Sequence, residues 1–167
     1  ARRASERAED GVRGGVRQPG SGGPGLGWWG GGGEGRRGGA SREDAVRRPV
    51  GEYAGARSGT RPDDLAGLVV RELVARHPEL DPARIDEVLL GNANGAGEDN
   101  RNVARMALLL AGLPTSIPAA TVNRLCGSSL DAAMAGSRQI AVGEAYGVVG
   151  GGVAAVSRSP WGLPQSN

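Results

Sequence analysis

The sequence predicts an α/β domain on a mostly parallel sheet, preceded by a disordered Gly/Arg-rich leader. Three observations carry this reading. Apolar residues recur at helical spacing in three segments, and short apolar runs separate them, so helix and strand alternate from about residue 60 onward. Gly and Pro stand at the expected stops. Composition changes sharply near Ser41, from Gly and Arg to a globular mixture.

The elements follow in chain order. Residues 1–42 carry few apolar side chains (Val12, Val16, Leu26, Trp28 and Trp29) and an unbroken glycine run from Gly30 to Gly33. So little apolar surface does not offset the entropy of ordering a backbone, so 1–42 is expected to be disordered and 43–167 to form the domain. As an Arg-Gly segment the leader could bind nucleic acid; its composition fits better a non-functional leader or a wrong translation start. The chain begins at Ala1 rather than Met, so a clipped N-terminus is expected. Residues 42–50 offer only Ala45, Val46 and Val50, with Pro49 among them. That is a poor strand, so the sheet is expected to lack a proper first strand and to expose an edge.

Thr60 and Asp63 have capping-box spacing, and Leu65, Leu68, Val69 and Leu73 follow at helical spacing. His77-Pro78 ends that helix. Residues 87–90 read as a buried strand and 91–100 as a polar, Gly-rich loop. A second helix spans 102–111, with Val103, Met106, Ala107 and Leu110 on one face and Gly112 and Pro114 as its stop. Residues 119–123 are a strand. Residues 128–142 are a third helix, with Leu130, Met134 and Ala141 inward, and 145–149 are a last strand running into Gly150, Gly151 and Gly152.

Composition excludes several classes. The 167 residues suffice for one domain. All basic residues are Arg, and a net charge of +2 gives no strong attraction to nucleic acid. A single Cys excludes an internal disulfide or Cys-rich metal site and fits a reducing, cytoplasmic compartment. No run approaches the roughly 18 apolar residues of a membrane helix, and the first twenty residues match no secretory or transit signal. Glu98-Asp99 with Asn100 and Asn102 lacks calcium-loop spacing, and the 150–152 glycines lack the spacing and Lys of a phosphate loop. No metal or tightly bound cofactor is therefore expected.

The informative residue is Cys126. It stands where a strand gives way to a helix, the edge of an α/β sheet where sites form. A helix N-terminus favours a thiolate, Gly127 leaves room beside the sulfur, and Arg124 is a nearby cation. Placement alone leaves two readings open, an activated thiol and an inert buried Cys.

The surrounding residues carry a resemblance. TVNRLCGSSLDA over 121–132 resembles the nucleophile motif of thiolases. DAVR at 44–47 with Pro49 and Gly51 is similar to that family's opening segment, and GEDNRNVARMA at 97–107 with AGLP at 111–114 to its second block. GGGV at 150–153 with Ser157, Arg158, Pro160 and Trp161 is similar to a fourth. Four blocks in order make a specific signal. The 97–107 block looks most like thiolases that cleave 3-oxoadipyl-CoA.

The resemblance implies a layered thiolase-type fold, here an incomplete N-terminal half, and acyl transfer between a 3-oxoacyl-CoA and CoA. Cys126 would be the nucleophile that carries the acyl group, and its backbone N–H would help hold the thioester oxygen. Coenzyme A is then a substrate, acyl-CoA and CoA are the partners, and a homodimer joined through 121–123 is expected. The family's activating His, second Cys and Asn-His pair belong to a C-terminal half, so this chain alone is expected to be inactive. The one His, His77, matches no catalytic position; a helix-end role is expected. Departures from the family are Ala154, Ala155 and Val156 in place of Glu-Ser-Met, Arg48 in place of Thr, and Gly95 in place of Gln. The second reading is a non-catalytic thiolase-like interaction domain with an Arg/Gly tail.

Overall fold

The computed structural model describes residues 26–31, 40–95 and 97–160. Eight elements follow in order: β1 (Leu26–Gly31), β2 (Ala40–Val46), α1 (Pro62–Ala75), β3 (Glu87–Gly91), α2 (Val103–Ala111), β4 (Ala119–Val122), α3 (Ser128–Ala141) and β5 (Gly147–Gly152). The strands form one five-stranded sheet in the order β2-β1-β5-β3-β4. β3 pairs parallel with β4 and with β5, whereas β1 pairs antiparallel with β5 and with β2. β2, β5, β3 and β4 therefore run one way and β1 against them. The expected α/β fold with a mostly parallel sheet is present.

Two expectations about the N-terminal part are corrected. Leu26–Gly31, assigned above to the leader, is a strand within the sheet; residues 1–25 and 32–39 of that leader lie outside the described residues. The first strand is not missing: Ala40–Val46 forms β2, although Val46 is its one buried residue. The reason is that ladder hydrogen bonds come from the backbone, so a segment with a weak apolar pattern can still add to a sheet.

Alternation along the central strands divides the core. Val88, Leu90 and Val149 pack with Ala66, Val70 and Leu73 of α1 and Val103, Ala107 and Leu108 of α2. Leu89 and Val148 face the other way, onto Ala132 and Ile140 of α3. The result is three layers, with α1 and α2 on one face and α3 on the other.

The face α3 turns inward is not the expected one. Leu130 is 63% exposed and Met134 41%, and Ala141 is exposed too. Inward are Ser128, Ala132, Gly136 and Ile140. Close approach explains the choice: a Cβ on Gly136 would lie 2.7 Å from a methyl of Val148. Small residues let the helix sit near the sheet, and a bulky stripe would hold it off. In α1 and α2 the expected Val69, Leu73, Val103 and Ala107 are buried, whereas Leu68 and Leu110 are exposed.

The expected capping box does not form either. Arg61 is the N-cap of α1 and makes no side-chain capping bond, and Pro62 opens the helix. Asp63 is instead drawn into an ion pair with Arg61. α2 does have a side-chain cap. Asn102 Oδ1 accepts from Arg105 N–H at 3.2 Å and from the Thr121 hydroxyl at 2.9 Å, and Asn102 Nδ2 donates to Ala119 O at 3.0 Å. One side chain thus closes α2 and ties it to β4. Asn102→Ala is expected to cost about 1–2 kcal/mol, read as a lower urea midpoint at unchanged slope.

Candidate active site around Cys126

β3 and β5 both end in glycine, and Gly91 and Gly152 are partners in register. They form a bare spot beneath the start of α3. A Cβ on Gly91 would lie 2.2 Å from Ser128 C and 2.4 Å from Ser129 N, and one on Gly152 would lie 2.1 Å from Ser129 Oγ. The helix therefore begins in backbone contact with the carboxyl ends of the central strands. That contact sets where the loop between β4 and α3, and so Cys126, must run.

The loop is a tight turn closed by two side chains. Ser128, buried, accepts from Arg124 N–H at 2.8 Å and donates to Leu125 O at 2.6 Å. Asn123 accepts from Leu125 N–H at 3.0 Å and donates to Ala93 O at 3.1 Å. Backbone bonds from Gly127 N–H to Arg124 O and from Ser128 N–H to Leu125 O complete it. Leu125 has φ of 52°, the left-handed region that a residue with a Cβ adopts at a cost.

Cys126 follows directly. Its thiol is free and exposed, so the inert buried reading of this Cys does not describe it. Gly127 is the N-cap of α3, which puts Cys126 just ahead of the helix. Its N–H donates to no acceptor among the described residues, while those of Gly127 and Ser128 are used inside the turn. An unspent N–H beside a reactive atom can serve a developing oxyanion.

The other charged candidates lie elsewhere. Arg124 reaches along α3 to Asp131 at 3.0 Å, so its cation is spent on the helix. His77 bridges Asp44 at 3.2 Å and Glu79 at 3.1 Å, tying the end of α1 to β2. Among the described residues no cluster of His, Cys, Asp or Glu could hold a metal ion. An open groove of about 520 Å³ adjoins the turn, lined by Asn92, Asp99, Arg101, Thr121 and Asn123 among others.

The groove loop is held by an ion-pair chain that sequence reading did not assemble. Arg158 makes two bonds to the Glu98 carboxylate, and Arg61 joins Asp63 at 2.6 Å to Glu98 O at 2.7 Å. The hydrogen bond from Arg158 holds the Glu98 carboxyl below the usual carboxylate range. Burial pushes Asp63 up, but the hydrogen bond and charge of Arg61 outweigh it and hold Asp63 low as well. The Glu98-Asp99 pair considered above for a metal is thus otherwise engaged: Asp99 accepts from Asn92 Nδ2 at 3.4 Å and Arg101 N–H at 3.0 Å.

Gly91, Gly152, Asn123 and Ser128 were also missed. The available signals were a glycine at the end of each apolar run and a turn-forming Asn three residues before the Cys.

Comparison with known proteins identifies the family of the chain. The thiolase N-terminal domain model matches residues 44–167. The chain is 57% identical over 118 residues to a Pseudomonas knackmussii protein named β-ketoadipyl-CoA thiolase, covering 71% of this chain and 29% of that one. It is 55% identical over 118 residues to the Escherichia coli 3-oxoadipyl-CoA/3-oxo-5,6-dehydrosuberyl-CoA thiolase, with the same coverage. The crystal structure of Bacillus anthracis acetyl-CoA acetyltransferase superimposes with a TM-score of 0.67 at 39% identity, over 72% of this chain and 30% of that one. The chain belongs to the thiolase N-terminal domain family. It spans under a third of the length of these relatives.

Proposed function

We propose that the chain supplies the nucleophile of a thiolase-type acyl transfer, with Cys126 as acyl carrier. The observation that supports this most directly is Cys126 itself: an exposed thiol on a clamped turn, its own N–H unspent, at the carboxyl ends of the parallel strands. In the reaction the Cys126 sulfur, having given its proton to a base, adds to the 3-carbonyl of a 3-oxoacyl-CoA. The bond between C2 and C3 breaks, acetyl-CoA leaves as a carbanion that takes up a proton, and the acyl group stays on sulfur as a thioester. A CoA thiol then attacks that thioester and releases acyl-CoA and the free Cys. This splits one difficult step into two. Coenzyme A is a substrate here, and no bound cofactor enters the steps.

The relatives named for β-ketoadipyl-CoA support a 3-oxoadipyl chain as the acyl group. β4 pairs only with β3 among the described strands, so its other edge supports a homodimer joined there. No helix among the described residues is long and apolar enough to cross a membrane. The single Cys, a free thiol, supports a reducing, cytoplasmic setting.

His77 is the one His, and its ring nitrogens meet Asp44 and Glu79 at the end of α1 rather than Cys126. The 167-residue chain alone should therefore turn over negligibly. The test is to incubate it with 3-oxoadipyl-CoA and CoA, follow acetyl-CoA release, and map iodoacetamide labelling by mass. The expected result is no detectable thiolysis, with Cys126 labelled faster than N-acetylcysteine at pH 7. Sustained thiolysis that disappears in Cys126→Ser would overturn the inactivity of the isolated chain. Labelling no faster than the small thiol would count against Cys126 as a prepared nucleophile.

A further inference from the structure

We infer that Asn123 is the positioning residue of the Cys126 turn: its side chain locks Leu125 into the left-handed backbone conformation that aims the following Cys. The inference rests on the reading of Cys126 as nucleophile. Leu125 has φ of 52° and its side chain is 72% exposed. Nothing gained by burying that side chain offsets the backbone cost, so the conformation must be held by the backbone's own bonds. Asn123 Oδ1 provides the bond on the N–H side, at 3.0 Å. Ser128 Oγ provides the bond on the carbonyl side, at 2.6 Å. Leu125 is thus gripped at both of its polar groups.

The chemistry selects an amide at position 123. Its oxygen accepts from Leu125 N–H while its nitrogen donates to Ala93 O at 3.1 Å. The second bond anchors the turn to the loop after β3, so the orientation of Asn123 is itself fixed. An aspartate keeps the first bond and loses the second, and an alanine loses both. If Asn123 acts through the left-handed residue, then removing the strain should make Asn123 dispensable. Glycine adopts that conformation freely, so Leu125→Gly is the rescuing change.

The experiment measures the second-order rate of Cys126 alkylation by iodoacetamide in the full chain, together with thermal unfolding and amide hydrogen exchange at Leu125. Asn123→Ala is expected to slow alkylation roughly five-fold and to expose the Leu125 amide to exchange. Asn123→Asp should stay within about two-fold of the parent chain, because it keeps the acceptor. Asn123→Ala combined with Leu125→Gly should recover the rate to within about two-fold, a rescue that a general loss of stability would not give. The inference is overturned if Asn123→Ala alkylates like the parent, or if the glycine fails to restore the rate in a double variant that melts cooperatively. Should the parent thiol react no faster than N-acetylcysteine, the nucleophile reading fails by itself. Protection of the Leu125 amide, present in the parent and lost in Asn123→Ala, then still supports the turn assignment, and its absence in the parent rejects it.

Discussion

Gly91→Ala is expected to destabilise the fold by about 3–5 kcal/mol, enough to leave much of the protein unfolded at 37 °C, because its methyl has nowhere to go. The added Cβ would meet Ser128 C at 2.2 Å, Ser129 N at 2.4 Å and Ser128 O at 2.5 Å. All three are backbone atoms, so no rotamer change relieves the contact. Either α3 lifts off the sheet or β3 bends away from its partners. Lifting α3 would uncover Leu89, Ala132, Val148 and Ile140, the buried cluster beneath it. Interiors are packed too closely to absorb a shift of an ångström or more without losing dispersion contacts. Gly59→Ala is the control, since its Cβ would meet nothing within 4 Å. Thermal unfolding of the two variants beside the parent chain decides the point. A Gly91→Ala midpoint within about 2 °C of the parent would show that α3 is not seated on that glycine.

Asp63→Asn is expected to cost roughly 1–3 kcal/mol at pH 7 and to blunt the chain's sensitivity to acid. Asp63 is 1% exposed, whereas its partner Arg61 is 42% exposed. A fully buried pair broken on one side costs roughly 3–5 kcal/mol; solvent around Arg61 screens this one, hence the smaller figure. The acid dependence follows in sign. Asp63 and Glu98 both have folded-state pKa values below their ordinary ones. Such groups contribute stability that is present above the unfolded value, about 4, and lost as pH falls through the folded value. Urea midpoints of the parent should thus hold steady from pH 7 to about 5 and fall below about pH 4, with a shallower fall in Asp63→Asn. Parallel pH profiles for the two proteins would show that Asp63 contributes nothing to that loss.

The sequence exposed the order of elements because helix and strand differ in period. The strands read at 87–90 and 119–123 and the helices read at 102–111 and 128–142 were all legible from periodicity and punctuation, and each falls within a residue or two of the element observed. Which face a helix buries was less so. In α3 the eye goes to Leu130 and Met134, yet the sheet takes Ala132, Gly136 and Ile140, because fit to Val148 decides it and periodicity carries no information about the partner surface. β1 escaped for a related reason: a strand made by backbone pairing leaves little trace in a side-chain pattern. Asp63 misled for the opposite one, since its spacing from Thr60 suggested a local cap and its charge found Arg61. Cys126 was legible as a candidate from its place between strand and helix. Asn123, Ser128, Gly91 and Gly152 became visible only once the turn was assembled: Gly91, Gly152 and the Asn123 amide nitrogen meet atoms far along the chain, and Ser128 closes a turn whose shape no periodicity encodes.

The seat that Gly91 and Gly152 make for α3 also orders events in time. Gly91, Ser128 and Gly152 lie well apart in the sequence, and the start of α3 is seated only where all three meet. A chain emerging from the ribosome exposes Cys126 before Gly152 has been synthesised. Until β5 docks beside β3 the seat of α3 is incomplete, and Cys126 is expected to alkylate at the rate of a small free thiol. The fast alkylation proposed for Cys126 is expected to arrive together with the sheet, so a pulse of alkylating reagent during synthesis or refolding would time the closing of this domain from a single atom.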